Sequence, residues 1–565
     1  MIKYMKKIFQ NLINFFQQKS SKKYFVIFGI FFLICFIFFQ STFSYHEQKF
    51  FIKAKLWSDF AAHLPLIRSF SLGDNWPVEY PFFAGLKINY HFLFYAVVGG
   101  LERIGFRIDY ALNFLSALGG AGLLTSIVWL GEYYFSFSAG LLAVFLFLFN
   151  GSLVFIQFFK ENIFTNFENF YQTLVTQRTF VSFGPWNGDL ISAFWNLNIF
   201  TNQRHLGLGI SILLFLIGWF ELFFKEKNKI YQRDYLLIAF LIVLLPLFHQ
   251  ASFAVLVIYL LIGFFSNPKF YLKKHLLFFI ITGFISFKSY LMFKNGFIPI
   301  LDIGFLALEK NLPSIFNYCL QNFGLYLFFI PLFLFLVFFK KDYFKFRKIY
   351  LTGLFIFIIS FIFRFSTDMI NNHKFITIFL IIMNLGVAGL LVKTYQTQVF
   401  LKQIGVSLIV FFLTFSGLID LFPILNDGLY VQKDYQRSEF GRWVVTIDPH
   451  SVFLVNEYLY NPISLAGRKL YLDYGYFSWS MGYPDHDRRK KQDQIFSKDI
   501  AKDDWCNLLS SEGIDYLALD QNQGDFMSKY RVDQSSFIYF SKPLIFDKAE
   551  NQSSTYVYDV KEICQ

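Results

Sequence analysis

Between Tyr24 and Phe43 the chain runs twenty positions without a charged side chain (YFVIFGIFFLICFIFFQSTF). A helix over that run is long enough to cross the ~30 Å hydrocarbon core of a bilayer. It is too long for a secretory leader and no A-x-A cleavage site follows it, so it reads as a retained first helix. Lys3, Lys6, Lys7, Lys19, Lys22 and Lys23 precede it. That basic segment, residues 1–23, places the N-terminus in the cytoplasm and everything just after residue 43 on the far side.

Further apolar runs follow at 110–131, 135–158, 206–224, 276–293, 316–339, 350–365, 375–392 and 404–422. The stretch 235–266 is too long for one crossing and splits at Pro246–Gln250. This predicts about eleven crossings. Lys225, Lys227, Lys229 and Arg233, then Lys269, Lys273 and Lys274, then Lys340, Lys341, Lys345, Arg347 and Lys348 all fall on the inner side of that alternation. The inner turn at Glu132 has no basic residue. Residues 91–105 are short for a span and read as a re-entrant or interfacial helix, because counting them as a crossing would move every later basic loop outside. The C-terminus is then extracytoplasmic and the protein a multi-pass component of the cell membrane.

Composition supports the membrane class: 55% of residues are hydrophobic and 22% aromatic, with a mean hydropathy of +0.44. The net charge of +12 does not point to nucleic acid. Residues 1–422 carry a balance of +17, spread over the loops, whereas 423–565 carry −5, and an acidic soluble segment repels phosphate backbones. Residues 423–565 alternate strand-like and helix-like runs: Ser451–Val455 as a strand, Ala501–Ser511 as a helix stopped by Gly513, and Ile514–Leu519 as a strand. Cys506 and Cys564 lie in this segment, and an oxidising compartment permits a disulfide between them.

The segment 44–109 carries the candidate chemistry. In Trp57-Ser58-Asp59-Phe60-Ala61-Ala62-His63, Asp59 and His63 share a helical face. A helix from Ser58 to Phe70 would lie at the interface with Phe60, Leu64 and Ile67 toward lipid. Asp59, His63 and Glu79 together could bind a divalent metal or act as a base and its orienting groups. By spacing alone Asp59 fits a helix cap or a surface ion pair equally well. Lys49, Lys53 and Lys55 sit outside against the charge bias, as a site for a lipid phosphate or as snorkelling side chains. Arg204 and His205, His249, and His373 and Lys374 stand at three other outer turns. Their convergence on the side of Asp59 suggests a cavity. The sequence holds no P-loop, no dinucleotide fingerprint, no C-x-x-C and no H-E-x-x-H.

This layout resembles the GT-C superfamily of integral-membrane glycosyltransferases. The resemblance lies in the early outer acid within WSDFAAHLPLIRSFSLGDNWP, the following PVEYPFFAGLKINYHFL, the short 91–105 segment, and the C-terminal Leu465-Ala466-Gly467-Arg468, Tyr474-Gly475-Tyr476, Trp479 and Gly513–Leu517. It implies a polytopic α-helical membrane protein of GT-C type: a transmembrane domain at 24–422 and an extracytoplasmic α/β domain at 423–565. It also implies transfer of a sugar from a polyprenyl-phosphate carrier to a lipid, glycan or protein acceptor at the outer face. Asp59 inherits the role of base or metal ligand, with Mg²⁺ or Mn²⁺ as the ion. The acidic doublet of the family is missing, since Phe60 follows Asp59, leaving Glu161 and Asp189 as candidate second acids. Two other readings remain open on the residues: a transporter or flippase of a lipid-linked saccharide, and a non-catalytic envelope-assembly protein. A transporter would carry polar residues near mid-membrane and show paired repeats, which this sequence does not.

Overall fold

The computed structural model describes residues 19–181, 195, 197–225, 232–269, 276–291, 299–455, 459–496, 500–520, 544–547 and 554–565. Five described helices are long and apolar enough to cross a membrane alone: Lys22–Gln40, Ile108–Tyr134, His205–Leu222, Met369–Tyr395 and Phe400–Leu425. Leu312–Phe323 and Tyr326–Phe339, bent by 94°, have that length and character only as a pair, either one broken span or a re-entrant loop. Asn311 caps the first helix of that pair, and Gly324, with φ of +51°, makes the corner. Shorter apolar helices at Phe137–Leu148, Tyr235–Phe248, Gln250–Ser266 and Phe278–Ser289 pack among them. Five or six helices therefore meet the length of a crossing by themselves. The expected eleven would need these shorter helices as well.

Ion pairs between distant parts of the chain test the alternation. Lys23, at the start of the first span, pairs with Glu132 at 2.5 Å. That contact explains how the inner turn manages without its own basic residue. Glu221 pairs with Lys348 at 2.9 Å and Asp342 with Lys393 at 2.5 Å, so these four also lie at one end of the bundle. At the other end Arg204 donates to Thr42 Oγ1 (2.6 Å) and Lys53 to the carbonyl of Asp427 (2.8 Å). These contacts put Glu132, Glu221, Lys348 and Lys393 at the end opposite Arg204 and Lys53, whereas Lys227, Lys229, Lys273 and Lys274 lie outside the described residues.

Residues 43–53 form a hairpin whose turn, Glu47-Gln48, has both φ values positive, as a two-residue turn matching strand twist requires. Strand Leu429–Lys433 adds to it, with Lys49 opposite Lys433 and Lys53 opposite Leu429. The chain leaving the last span is thereby stitched to the chain leaving the first. A buried network secures the join: Arg68 pairs with Asp434 (2.7 Å) and Glu102 (3.3 Å), and Tyr45 donates to Asp434 (2.7 Å). Segments 43–115 and 440–563 bury their apolar residues in one core, distinct from that of the membrane helices.

The C-terminal segment is a five-stranded mixed sheet in the order Leu544–Asp547, Ser554–Asp559, Tyr516–Asp520, Val452–Val455, Lys469–Leu470. Val452–Val455 and Tyr516–Asp520 are parallel, with helices Asp485–Ile495 and Lys502–Ser511 between them in the chain. Cys506 and Cys564 are disulfide-bonded, tying the second of those helices to the C-terminal turn. Leu465–Arg468 proves to be a latch. Gly467 and Gly73 approach so closely that a Cβ on Gly73 would lie 2.4 Å from the Gly467 carbonyl. Arg468 donates to the carbonyls of Val445 and Ile447 (2.6 Å each) and Leu72 (3.1 Å).

Candidate active site

Asp59 occupies the first turn of helix Trp57–Ser71, whose cap residue is Leu56. It is not a cap, and among the described residues its carboxylate makes neither a hydrogen bond nor an ion pair. Both structural explanations open at the sequence level therefore fail. Phe60, Leu64 and Ile67 do not face lipid: all three are fully buried in the outer core, because the C-terminal segment covers the helix that an isolated amphipathic pattern would lay on a bilayer. Protein surrounds Asp59 closely, yet the residue keeps an intermediate solvent exposure, as a group lining a crevice does. Burial pushes its carboxyl up to about 6, against the opposing pull of the Lys374 ammonium.

Lys374 enters from the N-terminal end of helix His373–Tyr395. Its Nζ donates to Asn371 Oδ1 at 3.1 Å and lies 5.9 Å from the centre of the Tyr90 ring. It interacts electrostatically with Asp59 and Asp368 but forms no ion pair with either within 4 Å among the described residues. An ammonium near two carboxylates, bonded to neither, keeps its capacity for a further anion.

Around these two groups lies a cluster of imidazoles. The His91 ring centre is 4.2 Å from that of His205 and 5.4 Å from that of His249; the His205 and His63 centres are 6.5 Å apart. Tyr95 places its hydroxyl 3.0 Å from His205 Nδ1, and Ser252 Oγ is 2.7 Å from His249 Nδ1. Among the described residues His63 Nδ1, His91 Nε2 and His249 Nε2 are buried without a hydrogen-bond partner. Burial, reinforced by Arg204 and Lys374, pushes His63 down to about 3, and burial with Lys374 pushes His91 well down. Both rings are neutral, so they offer hydrogen bonds and no charge. Unspent buried polar nitrogens are costly unless a polar ligand meets them.

Arg204 is buried and fully used: Nε donates to the Thr201 carbonyl (2.7 Å), and the guanidinium lies over Phe39 (4.4 Å) and Phe60 (5.5 Å). It forms the floor of the site. His373 is buried beside Lys374 and interacts electrostatically with His249. From the C-terminal segment, helix Gly475–Ser480 presents Tyr476, whose hydroxyl donates to Asp368 Oδ2 (2.9 Å). Its ring neighbour Trp479 is 5.9 Å away, centre to centre, and both are exposed.

Four of the expected residues lie elsewhere. Glu79 pairs with Lys469 (2.9 Å) and accepts from the Gly85 N–H (2.9 Å), cross-linking two segments. Lys53 is spent on the carbonyls of Leu425 and Asp427, and Lys55 on the Asp427 carboxylate (2.8 Å) and the Arg178 carbonyl (2.6 Å). Both lysines are held at this end of the bundle by Asp427 and the strand that follows it. Glu161 is exposed and accepts from Gln157 (3.2 Å). Asp189 lies outside the described residues. Neither Glu79 nor Glu161 stands with Asp59, Asp368 shares the Lys374 ammonium with it, and among the described residues no group of three or more His, Cys, Asp or Glu side chains is placed to hold a metal. Among the described residues the donors do not complete a site for Mg²⁺ or Mn²⁺.

Tyr95 and Asp368 belong to the site without having been named as candidates from sequence, and Tyr90, His91 and Tyr476 enter it from stretches quoted only for the family resemblance. One signal was available. The chain has only nine histidines, and five of them, at 63, 91, 205, 249 and 373, gather here.

No family model and no curated relative matches the chain. Among solved structures it is similar to the oligosaccharyltransferase AglB of Archaeoglobus fulgidus in complex with an inhibitory peptide and a dolichol-phosphate, with 13% identity and a TM-score of 0.43 over 96% of this chain and 74% of that one. A second structure of the A. fulgidus oligosaccharyltransferase, with Zn and sulfate, gives 11% and 0.45 over 87% and 68%. The arabinofuranosyltransferase AftD from Mycobacteria gives 11% and 0.44 over 94% of this chain and 40% of that one.

Proposed function

We propose that the protein is a membrane glycosyltransferase of GT-C type that moves a sugar from a polyprenyl-phosphate carrier to an acceptor hydroxyl at the extracytoplasmic face. One arrangement carries this reading: among the described residues the Asp59 carboxylate, pushed up to about 6 by burial, has no hydrogen bond and the neighbouring Lys374 ammonium no ion pair, and both stand at one end of a bundle of apolar helices.

The reaction is a single displacement at the anomeric carbon. Asp59 takes the proton of the acceptor hydroxyl as its oxygen forms the new bond to that carbon. The bond from the same carbon to the phosphate oxygen breaks, and the phosphate leaves with the electron pair. Lys374 stabilises the charge that develops there. The neutral rings of His63 and His91 donate to sugar or phosphate oxygens and exclude bulk water. Such a displacement inverts the anomeric configuration. A base near 6 is ionised at neutral pH yet basic enough to accept a proton in the transition state. The carrier enters from the bilayer, and the acceptor from the side where Tyr476 and Trp479 stand, offering aromatic faces to the apolar face of a saccharide.

The test uses purified full-length protein in liposomes with a panel of polyprenyl-phosphate-linked hexoses and pentoses. Polyprenyl phosphate should be released from one of them, and Asp59→Asn should lower that release by a factor of about 10²–10⁴. Full activity in Asp59→Asn, or no release from any donor, overturns the reading.

A further inference from the structure

At the opposite end of helix His373–Tyr395 lies a cavity of about 310 Å³. Nineteen residues separate Lys374 from Lys393 on that helix, ~28 Å at 1.5 Å per residue, so the cavity is about a bilayer core away from Asp59. It shares this face with the Glu221–Lys348 and Lys23–Glu132 pairs, the side that the basic loops identify as inner. Its walls are of two kinds. Leu336 and Leu390, from two apolar helices, form the part nearer the membrane. Lys340, Lys393 and Lys402 form the rim.

Charge in the cavity is unbalanced. Asp342 is the one carboxylate in the lining and is taken by Lys393 at 2.5 Å. Lys340 and Lys402 have no ion pair among the described residues, which leaves two ammonium groups facing the same space. The volume equals the share of about ten waters in the liquid, enough for a phosphate ester with a small polar substituent. Beside the rim, Phe339, Phe400 and Leu401 are exposed apolar side chains at the membrane boundary. Cations above, leucines below and lipid-facing aromatics alongside match the profile of a phospholipid, with its phosphate among the lysines and its chains along the helices.

We propose that this cavity binds the headgroup phosphate of an anionic phospholipid from the leaflet opposite the Asp59 site. The site is separate from the donor carrier and independent of the glycosyltransferase reading.

The test is native mass spectrometry of the full-length protein with dioleoyl phosphatidylglycerol or dioleoyl phosphatidylcholine, with inorganic phosphate as a competitor. Phosphatidylglycerol should bind in preference to phosphatidylcholine and survive millimolar phosphate. The Lys340→Gln/Lys402→Gln double variant should weaken phosphatidylglycerol binding about 30-fold, as two interfacial lysines at about 1 kcal/mol each imply. Lys345→Gln, an exposed lysine outside the cavity, should not. Both lysines of the double variant are exposed, and each single variant, expected near fivefold, provides the readout should the double variant not fold. Equal binding of the two lipids, full displacement by inorganic phosphate, or an effect of Lys345→Gln equal to that of the double variant overturns the proposal.

Discussion

Replacing Asp59 with Asn should inactivate the protein and stabilise it, and the combination is diagnostic. The carboxyl rises from an ordinary 3.8 to about 6, and burial is the larger cause. Because the folded-state value is raised, the folded protein holds more protons than the unfolded chain between those two values. Stability therefore falls as pH climbs from about 4 to about 6, and the whole penalty is present above 6. At 1.36 kcal/mol per pH unit the rise corresponds to about 3 kcal/mol for the fully enclosed carboxylate. Residual solvent screening and the hydrogen bonds that an asparagine amide itself requires reduce the expected gain to about 1–2 kcal/mol. In a chain of this size that is a rise in unfolding temperature of roughly 1–2 °C. Thermal unfolding in detergent at pH 7.5 should show the gain, and at pH 4.5 most of it should vanish. A destabilised Asp59→Asn protein, or a shift that does not change with pH, would mean that the carboxylate is held by structural partners, and the catalytic argument would fail with it.

Other consequences follow from the same geometry. Sugar transfer should lose activity as pH falls through about 6, and Lys374→Gln, which removes the opposing cation, should move that acid limb upward in a pH–rate profile as well as slow release of the carrier phosphate. Glu79→Gln breaks the pair with Lys469, so chemical denaturation should register a loss of about 1–3 kcal/mol while turnover per folded molecule stays unchanged. Reduction of the Cys506–Cys564 bond opens a loop with a sequence separation of 58, costing about 4 kcal/mol by the chain-entropy relation, and proteolysis of the C-terminal segment should accelerate in reductant.

The sequence was legible where a pattern is local. The apolar runs, the basic loops and the strand and helix signals at 451–519 needed no knowledge of distant contacts, and the structure places helices and strands there. Helix Trp57–Ser71 shows the limit. Its period of apolar residues reports that one face is buried but not what covers it, and the cover is a segment nearly 400 residues later. The same limit applies to charge. Lys53, Lys55 and Glu79 stand in the right segment for chemistry but find partners at Asp427 and Lys469 that spacing cannot foresee. Asp59, Lys374, His205 and His249 do come together, because each marks an outer helix end and the alternation of spans brings those ends to one side. His91 and Tyr95 were not taken as site residues because they lie at the start of a short helix that reads as an interfacial element, whereas its packing against the Trp57–Ser71 helix makes it a wall of the site.

The most direct measurement is an experimental structure of the protein with an added polyprenyl phosphate. The account predicts the lipid phosphate within hydrogen-bonding distance of Lys374 Nζ, about 3 Å, with its chain leaving between the spans and the Asp59 carboxylate facing the open side of the phosphate. A lipid phosphate bound elsewhere, with Asp59 sealed from it by packed side chains, would contradict it.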